Sequence, residues 1–218
     1  MAAMGKLLSV NVSLPKEVSY RGKTITTGIY KEPIEGRVAL RELNLDGDGQ
    51  ADLRGHGGIY KAAYVYSAEY HAHWERELGR EGFSFGKFGE NFTVEGMTDE
   101  EVHVGDVFRV GGALVEVTQP RVPCAKLAMR MEEPRFLKPF MAHARVGYYF
   151  RVLEEGEVGA GDPIERVRTG PGQMSVHEMF KLLYHDKDKR EGAQKALRIP
   201  ALSPGWRGSF EGIVAKAT

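Results

Sequence analysis

"GDVFRVGGALVEVTQP", Gly105 to Pro120, is the stretch on which the fold turns. Two β-rich runs flank Gly111-Gly112 and Pro120 ends the second, so the segment reads as a β-hairpin. The same pattern extends in both directions. Upstream, "KLLSVNVS" (6–13) and "GRVALREL" (36–43) alternate apolar and polar residues, and "AAYVYS" follows at Ala62–Ser67. Downstream, "GYYFRVLEEGEVGAGDPIERV" (147–167) reads as a later pair of strands, punctuated by glycines between Gly156 and Gly161. The 27 glycines in 218 residues fit a fold with many tight turns better than a helical bundle.

Helices enter in two places. In "SAEYHAHWERELG" (67–79), Ser67 is a candidate N-cap and Gly79 a stop, while Tyr70, Trp74 and Leu78 recur every four residues. A shorter helix fits "EPRFLKPFMAHA" (133–144), where Pro139 limits its length. The character changes after the Gly/Pro linker "RTGPGQM" (168–174). "SVHEMFKLLYHD" (175–186) opens with Ser175 and Glu178 in capping-box spacing, and "KREGAQKALRI" and "GWRGSFEGIVAKA" supply two more helical patterns. The expectation is a mostly β domain over 1–167, followed by a compact helical segment over 168–218.

The totals bound the function. Thirty basic residues are matched by 30 acidic ones, so no overall basic field is expected for nucleic acid. A single cysteine excludes an internal disulfide and any cysteine-rich zinc or iron–sulfur site. The start reaches charge quickly, unlike a signal peptide, and no window approaches the roughly 20 apolar residues that span a bilayer. A cytoplasmic protein with no membrane contact is the expectation.

Candidate chemistry gathers in four loops. "LDGDGQADLRGHGG" (45–58) invites a calcium reading through Asp46, Asp48 and Gln50. It fails at Ala51, where the turn needs glycine, and at Gly57, where a bidentate glutamate belongs, so a polar loop is expected for the aspartates. Its end differs: Arg54, His56 and Lys61 surround Gly55, Gly57 and Gly58, offering donors and close backbone approach to an anion or a solvated turn. "SYRGKTITTGIYK" (19–31) repeats the theme with Arg21, Lys23, Thr26 and Thr27, and "KFGENFTVEG" (87–96) carries Glu90 and Asn91 after two glycines. The scattered histidines suggest no metal site. The fourth loop, "QPRVPCAKLA" (119–128), holds the lone Cys124 between two cations, Arg121 and Lys126. A buried packing thiol and a soft nucleophile or metal ligand are both open to such a residue.

Taken together, "GKTITTGIYK", "LRGHGGIYKA", "FGENFTVEG", "VGDVFRVGGALVEVTQPRVPC" and the helical tail resemble the MOSC family, named for the C-terminal part of molybdenum-cofactor sulfurases. The likeness is to small stand-alone bacterial members with a C-terminal three-helix extension, and it covers nearly the whole chain. It implies a MOSC-type β-barrel with a few helices and a pocket for molybdenum cofactor (molybdopterin). It implies a reductase of N-hydroxylated bases or related compounds or, alternatively, a carrier of sulfur or cofactor on Cys124. By position, Cys124 stands where the family's cysteine stands, as molybdenum ligand or sulfur acceptor. His56, Lys61, Lys23 and Asn91 sit on the pocket motifs as cofactor-binding residues, with Thr27 and Arg54 beside them, and His56 is placed to deliver a proton. Tyr60 stands where an acidic residue is expected, which bears on the choice of small-molecule substrate. No flavin or nicotinamide fingerprint occurs, so an external electron-donating reductase is implied. The tail helices are expected to dock that partner, to cover barrel surface or to form a homodimer contact.

Overall fold

The computed structural model describes residues 3–52 and 57–216. Among the described residues twelve strands come in chain order: β1 (Gly5–Val12), β2 (Lys16–Tyr20), β3 (Lys23–Thr27), β4 (Glu32–Pro33), β5 (Arg37–Leu40), β6 (Ala63–Ser67), β7 (Phe92–Glu95), β8 (Val107–Val110), β9 (Ala113–Pro120), β10 (Tyr148–Glu154), β11 (Gly156–Gly159) and β12 (Pro163–Arg168). Six α-helices lie among the described residues: α1 (His71–Leu78), α2 (Ala125–Arg130), α3 (Leu137–His143), α4 (Val176–Tyr184), α5 (Arg190–Leu197) and α6 (Pro204–Lys216). None is long and apolar enough to cross a membrane.

Seven strands close a barrel in the order β1-β7-β6-β10-β9-β8-β12, with β12 returning to β1. Every pairing in the ring is antiparallel except β6 with β7. Closure removes the exposed sheet edges that an open sheet of this size would leave. Phe92, Phe108, Val117, Tyr148 and Phe150 are wholly buried inside.

The expected hairpin is β8–β9, with Val110 opposite Ala113 across the two glycines. The expected pair over 147–167 is instead three strands that do not pair with one another. β10 lies between β6 and β9, β11 pairs with β5 in a separate ribbon, and β12 joins β8 to β1. Only Glu155 separates β10 from β11, and Gly156 packs so tightly on Gly112 that an added Cβ would lie 2.3 Å from its carbonyl carbon. The chain therefore leaves the barrel wall here without a hairpin turn.

Local helix signals behave unevenly. Gly79 ends α1 in the left-handed conformation, as read from the sequence. Ser67 does not cap it, because its hydroxyl donates to Glu69 and a 3-10 turn over Ala68–Tyr70 intervenes. Pro139 sits inside α3 without breaking it, since in the first turn its missing N–H has no intrahelical acceptor. Helix α4 opens with the expected capping box: Glu178 N donates to Ser175 Oγ at 3.0 Å, and Ser175 N donates to the Glu178 carboxylate at 2.8 Å.

The tail is fused to the barrel through backbone and core. Val104 N donates to Met174 O, Val176 N to Val102 O and His177 N to Asp99 O. Met174, Val176, Met179 and Phe180 join the same buried apolar cluster as the barrel residues.

Candidate functional site

A cleft of about 570 Å³, counted to its open mouth, lies at one end of the barrel. Seven segments build it: the end of β3 with residues 28–31, the 49–52 loop, the 3-10 turn at Ile59–Lys61, the 86–91 loop, the 121–126 stretch after β9, and Tyr64 of β6 and Tyr149 of β10. Thr27, Lys61, Asn91 and Cys124, four of the residues singled out in the sequence, all line it. Lys23 does not; it is exposed at the turn end of the β2–β3 hairpin, opposite Tyr20. Arg54 and His56 lie outside the described residues.

The floor of the cleft is ionic and buried. Lys31 forms an ion pair with Asp48, and both side chains are almost sealed from solvent. The second oxygen of Asp48 accepts from Asn91 Nδ2 at 2.9 Å, while the first also takes the Ser13 N–H at 2.9 Å. Burial depresses the Lys31 pKa, and the facing Asp48 carboxylate opposes that effect. So Asp48 is no solvated turn aspartate; its loop is tied into the barrel by a charge pair between positions 17 residues apart. Asp46, by contrast, pairs with Arg41 at the surface.

Asn91 organises more than it offers. Its Oδ1 accepts from Tyr64 N at 3.1 Å, and its Nδ2 donates to both Asp48 and the Asn11 carbonyl. Both amide hydrogens are thus engaged inside the protein. Its neighbour Glu90 is fully buried and accepts from Gly86 N, Phe88 N and Thr93 Oγ1, which fixes the 86–91 loop. Gly86 is required there. Its φ is +81°, and a Cβ would lie 2.5 Å from the Lys31 carbonyl oxygen, so the loop packs directly on the lysine segment.

Arg121 completes the cationic wall. Its guanidinium donates to the Phe88 carbonyl at 2.6 Å and lies 4.3 Å from the centre of the Tyr64 ring. Burial works against its charge, but the facing Tyr64, Tyr149 and Cys124 raise its pKa on balance. The charge is retained inside the protein. Sequence reading named Arg121 as a flank of Cys124 but missed Lys31 altogether; the one local signal was its position after the glycine-bounded "TTGIYK" run.

Cys124 is half-buried and so is not a core thiol. It immediately precedes the short helix α2, an element the sequence did not suggest, with its backbone extended at φ −127° and ψ 170°. Its carbonyl accepts Leu127 N at 2.9 Å, but its side chain makes no cap bond. It borders two spaces. On its other side a larger cleft of about 1450 Å³ opens between the barrel and helices α4 and α6. Lys61, Arg121, Cys124 and Tyr149 line both, forming the wall where the two clefts meet. Lys61 is half-buried there, and desolvation lowers its pKa.

Comparison with known proteins agrees with this architecture. The MOSC domain profile matches residues 52–165, and that of the YiiM-like, 3-alpha helix domain matches residues 174–216. The chain is 44% identical over 204 residues to the uncharacterized protein YflK of Bacillus subtilis, covering 94% of this chain and 92% of that one. It is 36% identical over 182 residues to a protein named reductase in Gibberella moniliformis, covering 82% of this chain and 32% of the longer fungal protein. The crystal structure of YiiM from Geobacillus stearothermophilus superposes with a TM-score of 0.82 at 34% identity, covering 96% of this chain and 99% of that one.

Proposed function

The chain belongs to the MOSC family, and from that premise we propose that it is a molybdenum-cofactor-dependent reductase of N-hydroxylated bases or related compounds. The observation that carries this reading is the half-buried Cys124 at the meeting point of a cationic cleft and a second, larger one with fewer charged residues.

The residues present fit the cofactor. A thiolate is a soft ligand suited to a highly covalent metal centre. Lys61, Arg121 and Lys126 line the first cleft with positive charge that suits the phosphate of a molybdopterin. Cys124 would hold the metal, and Thr27 and Lys61 would contact the pterin side. When bound, the group supplies a two-electron centre for R–NHOH + 2e⁻ + 2H⁺ → R–NH₂ + H₂O.

The chain's own residues do the rest. The Lys31–Asp48–Asn91 network holds the cleft floor rigid, so that its donors are aligned before the ligand arrives. Arg121 contributes a fixed charge beside Cys124. Lys61 Nζ, made less basic by partial burial, holds a proton at the junction that it releases more readily than an exposed lysine does. Electrons come from an external protein reductase, since one cysteine builds no iron–sulfur cluster.

The test uses protein made in a host that synthesises molybdopterin, with reduced viologen as electron donor. Wild type should convert an N-hydroxylated base to its amine, and Cys124→Ser should do so at least a hundredfold more slowly, within the usual range for removing a catalytic group. Equal rates would refute the assignment. A cyanide-labile mass gain of about 32 Da on Cys124, without turnover, would support a sulfur carrier instead.

A further inference from the structure

The first cleft is lined by charge, but the second is different. Its walls include Ile59, Val122 and Tyr184, exposed by 43%, 45% and 39%, three of the few large apolar side chains left in solvent among the described residues. Trp206 of α6 closes the same wall, with its ring 6.2 Å from that of Tyr184 in an edge-on arrangement. Ser203 also lines this space. Its Oγ is buried and has no hydrogen-bond partner among the described residues. A buried hydroxyl without a partner is costly, and a ligand's hydrogen-bonding edge would relieve that cost.

An apolar shelf, a tyrosine face and one orphaned hydroxyl, ending at a cysteine and two cations, match one kind of ligand. It has a flat ring with a polar edge and a small polar group that reaches Cys124. We infer that the helical extension supplies the substrate side of the site. The ring of an N-hydroxylated heteroaromatic base stacks on Tyr184 beside Trp206, and Ser203 hydrogen-bonds its edge. The N–O group lies toward the wall shared by Lys61, Arg121 and Cys124. Tyr184 and Ser203 are therefore specificity-determining residues on the helical extension rather than on the barrel strands. Tyr60 lines the same cleft and adds aromatic surface. This inference rests on the reductase reading for the chemistry at Cys124, but the ring-binding site can be tested apart from it.

The experiment is a fluorescence titration of the full chain as purified, with molybdenum measured in the same sample. Trp206 lines this cleft and Trp74 does not, so a ligand in the cleft reports through Trp206. An N-hydroxylated aminopurine should quench saturably, and N-methylhydroxylamine should not. Tyr184→Ala should weaken purine binding about tenfold, as expected for loss of a stacked aromatic pair, and Tyr184→Phe should restore it. Ser203→Ala should weaken binding of the purine. Tyr184 also packs on Phe180, with ring centres 4.7 Å apart, so the melting temperature of Tyr184→Ala is measured alongside and should stay above the titration temperature. Purine binding without saturable quenching, or equally tight in Tyr184→Ala, overturns the inference. Saturable, Tyr184-dependent binding in a sample without molybdenum supports this site while counting against the cofactor reading; molybdenum without ring binding does the reverse.

Discussion

Removing the Lys31 ammonium while leaving the Asp48 carboxylate in place would strand a buried charge with two hydrogen-bond donors and no counter-ion. Lys31→Met is therefore expected to cost about 3–5 kcal/mol of unfolding free energy, the usual range for breaking a buried pair from one side. Urea denaturation checks this; a loss below about 1 kcal/mol would mean that the pair is hydrated and weak. Cys124 was legible from sequence as a candidate because a lone thiol between cations stands out locally. The Lys31–Asp48 pair was not, because each residue looks like an ordinary loop charge and only the barrel closure brings them together. Likewise the Asn91 amide reads as an available donor until its three internal partners are known.

Elements with short-range causes were the readable ones. The β8–β9 hairpin follows from two glycines between β-rich runs, and the α4 start follows from a serine and glutamate three apart. Pairings between distant segments, such as β11 with β5, left no mark in either strand. Helix α2 was also silent, because its six residues are too few to show a periodic face. Two changes test this level. Ser175→Ala removes the hydroxyl that accepts the Glu178 N–H while leaving the backbone half of the capping exchange, and is expected to cost about 1 kcal/mol, read as a lower denaturation midpoint with an unchanged slope. Gly86→Ala meets both a left-handed backbone and the Lys31 carbonyl, so it should destabilise more than the roughly 1 kcal/mol of an ordinary loop change. It should also weaken phosphate-ester binding in the first cleft, measured by calorimetry, because the lysine segment must move. A Gly86→Ala protein of wild-type stability would show that this contact relaxes freely.

At the scale of the molecule, barrel and extension share one core, and Asp99 sits at their junction. Its carboxylate accepts Val146 N and Gly147 N, each at 2.9 Å, and its carbonyl accepts His177 N. Burial pushes its pKa up from 3.8 to about 7, with nearby Glu100 acting in the same direction. Between these values the native state keeps a proton that the unfolded chain releases. Its contribution to stability is thus present below about pH 4 and lost as pH rises toward 7, by at most about 1.4 kcal/mol per pH unit. Asp99→Asn, which mimics the protonated form, should gain stability relative to wild type across that window; a parallel pH profile for the two proteins would contradict the shift. The arrangement around Cys124 also belongs to this scale, since it needs the barrel end, the 121–124 stretch and the extension together. Its most direct test is metal and pterin content after expression in a host that makes molybdopterin, purified without metal affinity. Wild type is expected to carry molybdenum and pterin near one per chain, with the metal lost and the fold kept in Cys124→Ser. Metal-free wild type, or equal molybdenum in both proteins, would contradict it.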